Sequence, residues 1–455
     1  MKMKEFLQNK RALLSFLIIL LALTGRAQAT FTAGNLNYQV NDDGISVTVT
    51  GHVDGYEAAG ELNIPESVSY EGNDYTVTAI GDNAFMYCFY LTDLTLPNTV
   101  TTIGVAAFSY CQGFTGDLVI SNSVTTIDYN AFQYCFGITG LVLGNSVETI
   151  GDYAFNSCDN LTGTLYIPSS VTSLGGNSFG YCALDSIAVD PANSFYDSRN
   201  GCNAIIETST NELITGCKNS FIPNTVTSIG YCAFRGIDEL ESIEFPESLV
   251  SIGENAFAFC YDLKGDITIP NSVTTIGPSA FFDCQGLDGT LTIGESVTFI
   301  GDWAFRNCWG IISAVSLAST PPALDDELGG LVFDNFGTTA LTVPCGCASE
   351  YENSNWYDPY AMNGFTTFIE DCSAVAEAST DVMTVYPNPT EGAIHISGIA
   401  DGGSLTVSDM SGRIVVYAGT VGPDGMVYLS LSPGLYLMTL TTRDGMRHHA
   451  PIIVK

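Results

Sequence analysis

The chain has 455 residues, of which 49 are acidic and 14 are basic. This balance excludes nucleic acid as a partner and argues against docking on anionic lipid, because the phosphates of both would be repelled. Five basic residues and one acidic residue lie in positions 1–29, so the rest of the chain carries 9 basic and 48 acidic residues, a formal charge of −39. The sequence has no EF-hand loop or Gly-Asp-rich calcium repeat, and we interpret the charge as a solvated acidic surface.

The N-terminus has the three parts of a signal peptide. Four basic residues precede an apolar run over 12–23, and Ala27-Gln28-Ala29 is a small-x-small cleavage site. We therefore predict that residues 1–29 are removed on export and that the mature chain begins at Thr30. The apolar run is short for a bilayer, and no later stretch qualifies as a spanning helix.

Residues 30–60 predict a β-hairpin, because two alternating stretches flank the turn residues 41–44. From 61 to 312 a motif of 23 or 24 residues repeats: VTTIGVAAFSYC (100–111) returns as VTTIDYNAFQYC (124–135) and VTFIGDWAFRNC (297–308). A period of this length is typical of a solenoid, in which each unit buries its apolar edge against its neighbours. The hairpin would then cover the open N-terminal end as a cap.

Each repeat unit predicts one short strand, one turn and a brief helical or 3₁₀ segment. Residues 94–96 alternate as a strand that Pro97 ends, Gly104 makes a turn, and Phe108 and Cys111 have helical spacing. Stacked units therefore form a parallel sheet and an interior aromatic column: Phe85, Phe108, Phe132, Phe155 and Phe179, then Phe257, Phe281 and Phe305.

The alternation also predicts an outward-facing strand row, which would line a concave face, a common binding surface in solenoids. We name it the strand row: Thr95, Val119, Val142, Tyr166, Ala188, Glu244, Thr268 and Thr292. Its few charges suit a protein or glycan ligand. Threonine and valine are also what any strand prefers, so binding on this face is an expectation from the fold alone.

A cysteine recurs three residues after each repeat phenylalanine: Cys88, Cys111, Cys135, Cys158, Cys182, Cys260, Cys284 and Cys308. We predict buried, reduced packing residues in preference to disulfides, zinc ligands or nucleophiles, because each unit offers one thiol and no Cys–His pair is evident. A disulfide from Cys372 to Cys345 or Cys347 would staple a C-terminal cap. A local pair of Cys202 and Cys217 stays open, and Cys232 lies out of phase with the repeat.

The remaining segments break the period. Residues 185–231 form an irregular longer unit with a hairpin, and 313–372 a divergent last repeat with a cap. Residues 373–380 are small and polar, as in a linker. Short alternating runs over 381–455, separated by Gly/Asp turns, predict a small all-β sandwich.

The template L-x-x-L-x-L-P-x-x-V-x-x-I-G-x-x-A-F-x-x-C, as in 91–111, resembles the BspA-type leucine-rich repeats of bacterial surface proteins. That resemblance implies a leucine-rich-repeat solenoid over most of 55–345. The tail resembles the type A C-terminal sorting domain of type IX secretion, at Tyr386, Pro387, Asn388, Pro389, Gly392, Gly412, Arg413, Gly434, Tyr436 and Lys455. It implies a partner in the type IX secretion machinery and delivery to the outer surface of a Gram-negative bacterium, where such tails are usually removed.

The function expected from these features is adhesion or another interaction without catalysis, with no catalytic residue, cofactor or metal. A glycan hydrolase is the rival, and it would need two carboxylates in a cleft. Acids such as Asp82, Asp152, Glu254 and Asp302 follow Ile-Gly at positions predicted to face solvent, which does not favour an acid/base pair. A passive structural coat is the third interpretation.

Overall fold

In a computed structural model the repeat units form a parallel β-solenoid of about 12 turns. The structure describes residues 28–53, 58–325, 331–360, 364–373, 384–386, 393–397, 403–409, 413–420, 426–442 and 447–455. The predicted signal peptide before Gln28 and the linker after Ser373 lie outside the described residues. By internal contacts the chain divides into two compact units, Met1–Glu370 and Asp371–Lys455.

The first half of the solenoid begins with an antiparallel ribbon and continues with two strands per coil. Its strands are β1 (Thr30–Ala33), β2 (Leu36–Val40), β3 (Ser46–His52), β4 (Ala59–Asn63), β5 (Ser67–Tyr70), β6 (Asn73–Ile80), β7 (Tyr90–Thr95), β8 (Thr102–Ile103), β9 (Gly116–Val119), β10 (Thr126–Ile127), β11 (Ile138–Val142), β12 (Thr149–Ile150), β13 (Thr164–Ile167), β14 (Ser173–Leu174) and β15 (Ser186–Val189). The ribbon β1–β2–β3 pairs onto β6, and so covers the end of the stack.

The irregular unit and the second half follow. Their elements are β16 (Tyr196–Asp197), a 3₁₀ turn (Arg199–Gly201), β17 (Ile205–Glu207), β18 (Glu212–Thr215), β19 (Ser228–Ile229), β20 (Ser251–Ile252), β21 (Ile267–Thr268), β22 (Thr275–Ile276), β23 (Thr290–Ile293), β24 (Phe299–Ile300), β25 (Ser313–Ser316), β26 (Ala323–Leu324), β27 (Ala340–Pro344), α1 (Ala348–Glu352) and β28 (Thr367–Asp371). The predicted hairpin of the irregular unit is β17 paired antiparallel with β18.

The second strand of each coil was not predicted. Its two residues, such as Thr102-Ile103, stack in register with their equivalents in neighbouring coils, Ile103 on Ile127 and Ile127 on Ile150. These short strands build the long sheets, β6-β8-β10-β12-β14 and β18-β19-β20-β22-β24-β26. The predicted first strands form shorter sheets, β4-β7, β9-β11, β13-β15 and β21-β23-β25-β27-β28. A two-residue strand is too short for alternation to reveal it in a sequence.

The segment predicted as helical or 3₁₀ is a chain of turns, which we call the turn segment. The N–H groups of Met86 and Cys88 close turns onto the carbonyls three residues back, over 3.2 and 3.1 Å. Those of Phe85 and Tyr87 donate instead to the next coil, over 2.8 and 2.9 Å. Tyr87 has a φ of 63°, which lies outside the range of any right-handed helix. Only alternate residues keep 3₁₀ bonding, and the others tie the coils together.

The predicted aromatic column is confirmed. Neighbouring rings from Phe85 to Phe179 lie 5.1–5.4 Å apart with interplanar angles of 1–8°. A second column starts at Phe234 and extends beyond the predicted Phe305 to Phe333. All of these rings are buried. The core of each coil therefore lies between its first strand, its second strand and its turn segment.

The last 85 residues hold two antiparallel sheets, as predicted for the tail. The strands are β29 (Thr384–Tyr386), β30 (Ala393–Ser397), β31 (Gly403–Asp409), β32 (Ile414–Thr420), β33 (Met426–Tyr428), β34 (Gly434–Thr442) and β35 (Arg447–Val454). They are ordered β29-β30-β33 and β32-β31-β34-β35. Leu405, Val407, Met438 and Ile452 are among the residues of their buried core.

Candidate functional site

The strand row lies on the exposed side of the first strands, with one exception. Thr95, Val119, Val142, Tyr166, Ala188, Thr268 and Thr292 belong to first strands, and none of them is buried. Glu244 is exposed but lies in no strand. Its segment lies between the sheet that ends at β15 and the sheet that begins at β21, and it pairs with neither. It keeps the burial alternation, with Ile243 inside.

The row is apolar in the first half and polar in the second. Val119, Val142 and Tyr166 follow one another on three successive coils and are 54%, 52% and 47% exposed. Their second-half counterparts are Thr268 and Thr292. Three large apolar side chains that remain half in water on the first strands of successive coils form a surface suited to contact with another molecule.

The turn segment carries a second row, of half-buried tyrosines, which the repeat pattern did not predict. The residue before each repeat cysteine is Tyr87, Tyr110 or Tyr134 in three successive coils, and we call these three the tyrosine ladder. Their ring centroids lie 4.9 and 4.5 Å apart. The sequence signal for this row is a tyrosine directly before the cysteine in three successive units.

The ladder depends on an unusual backbone conformation. Tyr87, Tyr110 and Tyr134 have φ values of 63°, 62° and 61°, in the left-handed region that non-glycine residues seldom adopt. The rings in this conformation lie half-buried against one another, while the cysteine that follows each tyrosine is buried. Hydrogen bonds from the three tyrosine N–H groups to the next coil, over 2.8–3.0 Å, offset the cost of this conformation.

Beyond the ladder the turn segments change composition. Ser157 takes the tyrosine position in the next coil, and Tyr181 takes it in the one after. Gly236 occupies the equivalent position beyond the irregular unit, where a Cβ would lie 2.2 Å from the Tyr181 ring. The Tyr181 ring therefore reaches across this glycine to within 6.2 Å of the Phe259 ring.

Two arginine side chains lie on aromatic rings of the second-half turn segments. The guanidinium of Arg235 is 5.3 Å from the Phe259 centroid and 5.9 Å from the Tyr181 centroid. That of Arg306 is 5.0 Å from the centroid of Trp303. At these distances the face of a ring attracts a cation.

The coil that follows the ladder carries Asp159, and Asp238 is close enough to Asp159 for their charges to interact. Asp159 follows Cys158 directly, as Phe136 follows Cys135. The pKa of Asp159 is raised by burial and then by the charge of Asp238, and the pKa of Asp238 is raised by burial and then by Asp262 and Glu239. Neither Asp159 nor Asp238 lies within 4.0 Å of a cationic nitrogen in the described residues. This end of the turn face is therefore anionic and uncompensated.

The repeat cysteines are buried as predicted, and all eight are free thiols. From Cys111 onward each thiol donates to the carbonyl of the phenylalanine one coil before, as Cys135 Sγ does to Phe108 O over 3.1 Å. Burial raises the pKa of Cys88 to about 11 and of Cys182 to about 12. The thiols stay protonated at neutral pH and cannot serve as nucleophiles.

The remaining cysteines differ. Cys345 and Cys372 are disulfide-bonded, and Cys347 is free. The sulfurs of the bonded pair lie within 4.8 Å of a Glu370 carboxylate oxygen, but sulfurs in a disulfide are not thiolate ligands for a metal. Cys202 and Cys217 are buried free thiols, with the Cys217 thiol donating to Asn203 O over 3.3 Å.

Cys232 lies out of phase with the repeat cysteines, two residues before Phe234 instead of three after it. It has a φ of 56° and takes the position that Asn83 has before Phe85. Its side chain is nevertheless buried, and its sulfur accepts from Nη1 of Arg235 over 3.8 Å.

The acids after Ile-Gly serve the backbone of the solenoid. Oδ1 of Asp82 accepts from the N–H of Val105 over 2.9 Å, and Oδ1 of Asp152 from that of Gly176 over 2.8 Å. Asp302 was predicted to face solvent, but it is 6% exposed, because it accepts from the N–H of Leu331 over 3.2 Å. These carboxylates cap the following coil instead of pairing for acid–base chemistry.

In the tail, the described motif residues shape turns. Arg413 and Asp409 bond to each other through backbone and side chain, closing the turn between β31 and β32. The hydroxyl of Tyr436 donates to Ser432 O over 2.9 Å, Gly434 begins β34, and Lys455 ends the chain exposed. Tyr386 ends β29, whereas Pro387, Asn388, Pro389, Gly392 and Gly412 lie outside the described residues.

Comparisons with known proteins agree with this architecture. A family model described as a BspA type leucine rich repeat region matches residues 78–202 and 205–326 in six copies. A second model, described as a secretion system C-terminal sorting domain, matches residues 384–455. No curated protein matches the chain. Among the described helices, none is long and apolar enough to cross a membrane.

Two solved structures share the fold. A leucine-rich repeat protein from Bacteroides ovatus is 24% identical with a TM-score of 0.51, and the match covers 74% of this chain and 88% of that one. The pneumococcal vaccine antigen PcpA is 18% identical with a TM-score of 0.55, covering 78% of this chain and 96% of that one. At these identities the likeness concerns the fold.

Proposed function

Because the chain belongs to the BspA-type leucine-rich-repeat family and ends in a type IX secretion sorting domain, we propose that it is a non-enzymatic surface protein that binds an extracellular protein or glycan. In this proposal residues 1–29 open the export route, the sorting domain engages the type IX machinery, and the repeat body acts outside the outer membrane of a Gram-negative cell.

The observation that carries the binding role is the apolar part of the strand row. Val119 and Val142 are paired neighbours in β9 and β11, Tyr166 lies on β13 of the next coil, and all three keep about half of their surface in water. Burying such side chains against a partner contributes about 25 cal/mol for each Å² of apolar surface removed from water. Rigid strands lose little entropy on binding, which favours affinity.

The chemistry of the described residues supports a role without catalysis. The repeat thiols are protonated inside the core, and Asp82, Asp152 and Asp302 are engaged with backbone N–H groups. A glycan hydrolase would need two carboxylates free to exchange protons across a cleft.

A protein and glycan array probed with the mature chain tests the proposal. Selective binding supports it, turnover of a glycan would establish the hydrolase instead, and silence on both arrays would favour a passive coat. The site is tested with Val142→Thr and Tyr166→Thr, which keep residues suited to a strand. We expect the pair to weaken binding about ten-fold.

The matched control is Thr268→Ser in the polar second half of the row, which should leave the affinity unchanged. Unchanged affinity in the Val142 and Tyr166 variants would remove the strand row as the site. It would leave the binding function itself intact.

A further inference from the structure

The first half of the repeat body has no cationic side chains other than histidine. Residues 27–198 contain 18 acidic residues, one histidine and neither lysine nor arginine. The tyrosine ladder, Tyr87, Tyr110 and Tyr134, lies within this stretch. In the second half, by contrast, the arginines Arg235 and Arg306 contact aromatic rings.

The second half shows which cation these rings accept. Both of its ring-bound cations are guanidinium groups, Arg235 over Phe259 and Tyr181, and Arg306 over Trp303. Its two lysines lie on no described ring and pair with carboxylates, Lys218 with Asp185 at 2.8 Å and Lys264 with Asp262 at 3.9 Å. Arg306 makes both kinds of contact, because it also pairs with Asp334 at 2.9 Å. Arg199 pairs with Asp197 at 2.7 Å. A planar guanidinium stacks on an aromatic ring, whereas an ammonium group is a compact and strongly hydrated charge.

The ladder offers the same ring chemistry with more aromatic surface. Phe89 lies 6.0 Å from Tyr87 between ring centroids, and Phe136 lies 6.0 Å from Tyr134. Phe89 is 42% exposed, so apolar ring surface next to the ladder is in contact with water. Asp159 belongs to the coil that follows Tyr134 and takes the position that Phe136 has in the coil before. Neither Asp159 nor Asp238 has an ion-pair partner within 4.0 Å among the described residues.

We propose that the tyrosine ladder, together with Asp159 and Asp238, is a docking surface for an arginine-rich segment of a partner protein. This rests on the proposed binding function and narrows the partner to a protein that carries clustered arginines. The guanidinium groups stack against the rings, while the carboxylates of the first half attract the segment as it approaches.

The test uses the mature full chain and a fluorescent oligo-arginine peptide, with an oligo-lysine peptide of equal length for comparison. We expect the arginine peptide to bind more tightly. In the double variant Tyr110→Leu/Tyr134→Leu its affinity should fall about ten-fold, because two ring faces are lost. Tyr110→Phe/Tyr134→Phe keeps the ring faces and should stay within about two-fold of wild type.

Two controls separate the rings from charge and from misfolding. Tyr360→Ser, at an exposed tyrosine outside both the strand row and the ladder, should leave peptide binding unchanged. An unaltered thermal midpoint of the leucine variant confirms that its loss is local. If that variant unfolds, the single variant Asp159→Asn takes its place, and it should weaken binding of the peptide at low salt. Equal affinity of wild type and leucine variant, or equal affinity for the two peptides, would overturn the ladder proposal by reducing the binding to net charge.

The outcome is independent of the array experiment. If the array finds a partner whose binding ignores the ladder variants, and the arginine peptide does too, the ladder proposal fails while the proposed function stands. If the arrays are silent but the peptide binds through the rings, the ladder is supported and the wider proposal fails for the ligands tested.

Discussion

The aromatic column makes a quantitative prediction about position along the stack. Phe132 lies between two parallel rings, 5.1 Å from Phe108 and 5.4 Å from Phe155, whereas Phe179 at the end of its column stacks only on Phe155 within the described residues. Leucine keeps most of the apolar volume, so loss of size costs about 1 kcal/mol at either site. Each lost ring pair adds about 1 kcal/mol. Phe132→Leu should therefore cost about 3 kcal/mol and Phe179→Leu about 2 kcal/mol.

Urea unfolding of the mature chain, followed by far-UV circular dichroism, measures both values. The tryptophans at 303, 309 and 356 all belong to the second half, so their fluorescence reports on that half alone. The buried residues form separate clusters in the two halves of the solenoid, and coils in a stack interact with their neighbours only. We expect Phe132→Leu to leave the tryptophan transition in place. Equal costs at Phe132 and Phe179 would refute ring stacking as the source of the difference.

Three further predictions concern charges and sulfurs. The Cys135 thiol should resist a water-soluble maleimide until the chain unfolds, because burial raises its pKa far above neutral, and rapid labelling of the folded chain would contradict its place in the core. The double variant Cys345→Ser/Cys372→Ser should lose about 3 kcal/mol of stability, because the disulfide no longer closes the loop in the unfolded chain. Cys347→Ser leaves the disulfide intact and should lose much less. Equal losses would contradict a stabilising role of the disulfide. A carboxyl whose pKa is raised in the folded state destabilises the fold as the pH rises above the pKa of the unfolded state. Asp238→Asn should therefore raise the thermal midpoint at neutral pH, but not below about pH 3.9, where the carboxyl is protonated in both states. A gain at both pH values would exclude titration of Asp238 as the cause.

The period and the interior of the solenoid could be predicted because they depend on apolar spacing that recurs in every unit. Phe108, Cys111 and Ile103 are buried in the structure as their spacing indicated. The turn segment was harder, since helical spacing and a chain of turns place the same side chains inside. The chain of turns differs from a helix in its positive φ values, as at Tyr110. Tyrosine seldom adopts a positive φ, so its presence in the sequence does not indicate one.

The candidate sites were predictable only in part. Alternation identified the strand row, because a strand sends neighbouring residues to opposite faces. It could not show that Glu244 would lack a strand partner, since that depends on how residues 185–231 displace the neighbouring coil. Asp302 is buried for a related reason: Leu331, which binds its carboxylate, comes from beyond the regular period.

The irregular unit interrupts the hydrophobic interior but preserves the turn face. Phe179 and Phe234 belong to different core clusters, so the aromatic column ends and restarts there. On the turn face the N–H of Tyr181 still donates to Arg235 O over 3.2 Å, and the hydroxyls of Tyr153 and Tyr231 are 2.7 Å apart. Tyr181 and Arg235 are separated by 54 positions, and Tyr153 and Tyr231 by 78. They make contacts between adjacent turn segments that elsewhere join residues 23 or 24 positions apart. At this junction the aromatic rings of Tyr181 and Phe259 contact a cation of the chain itself, Arg235. The rings of the ladder lie in residues 27–198, which contain no lysine or arginine.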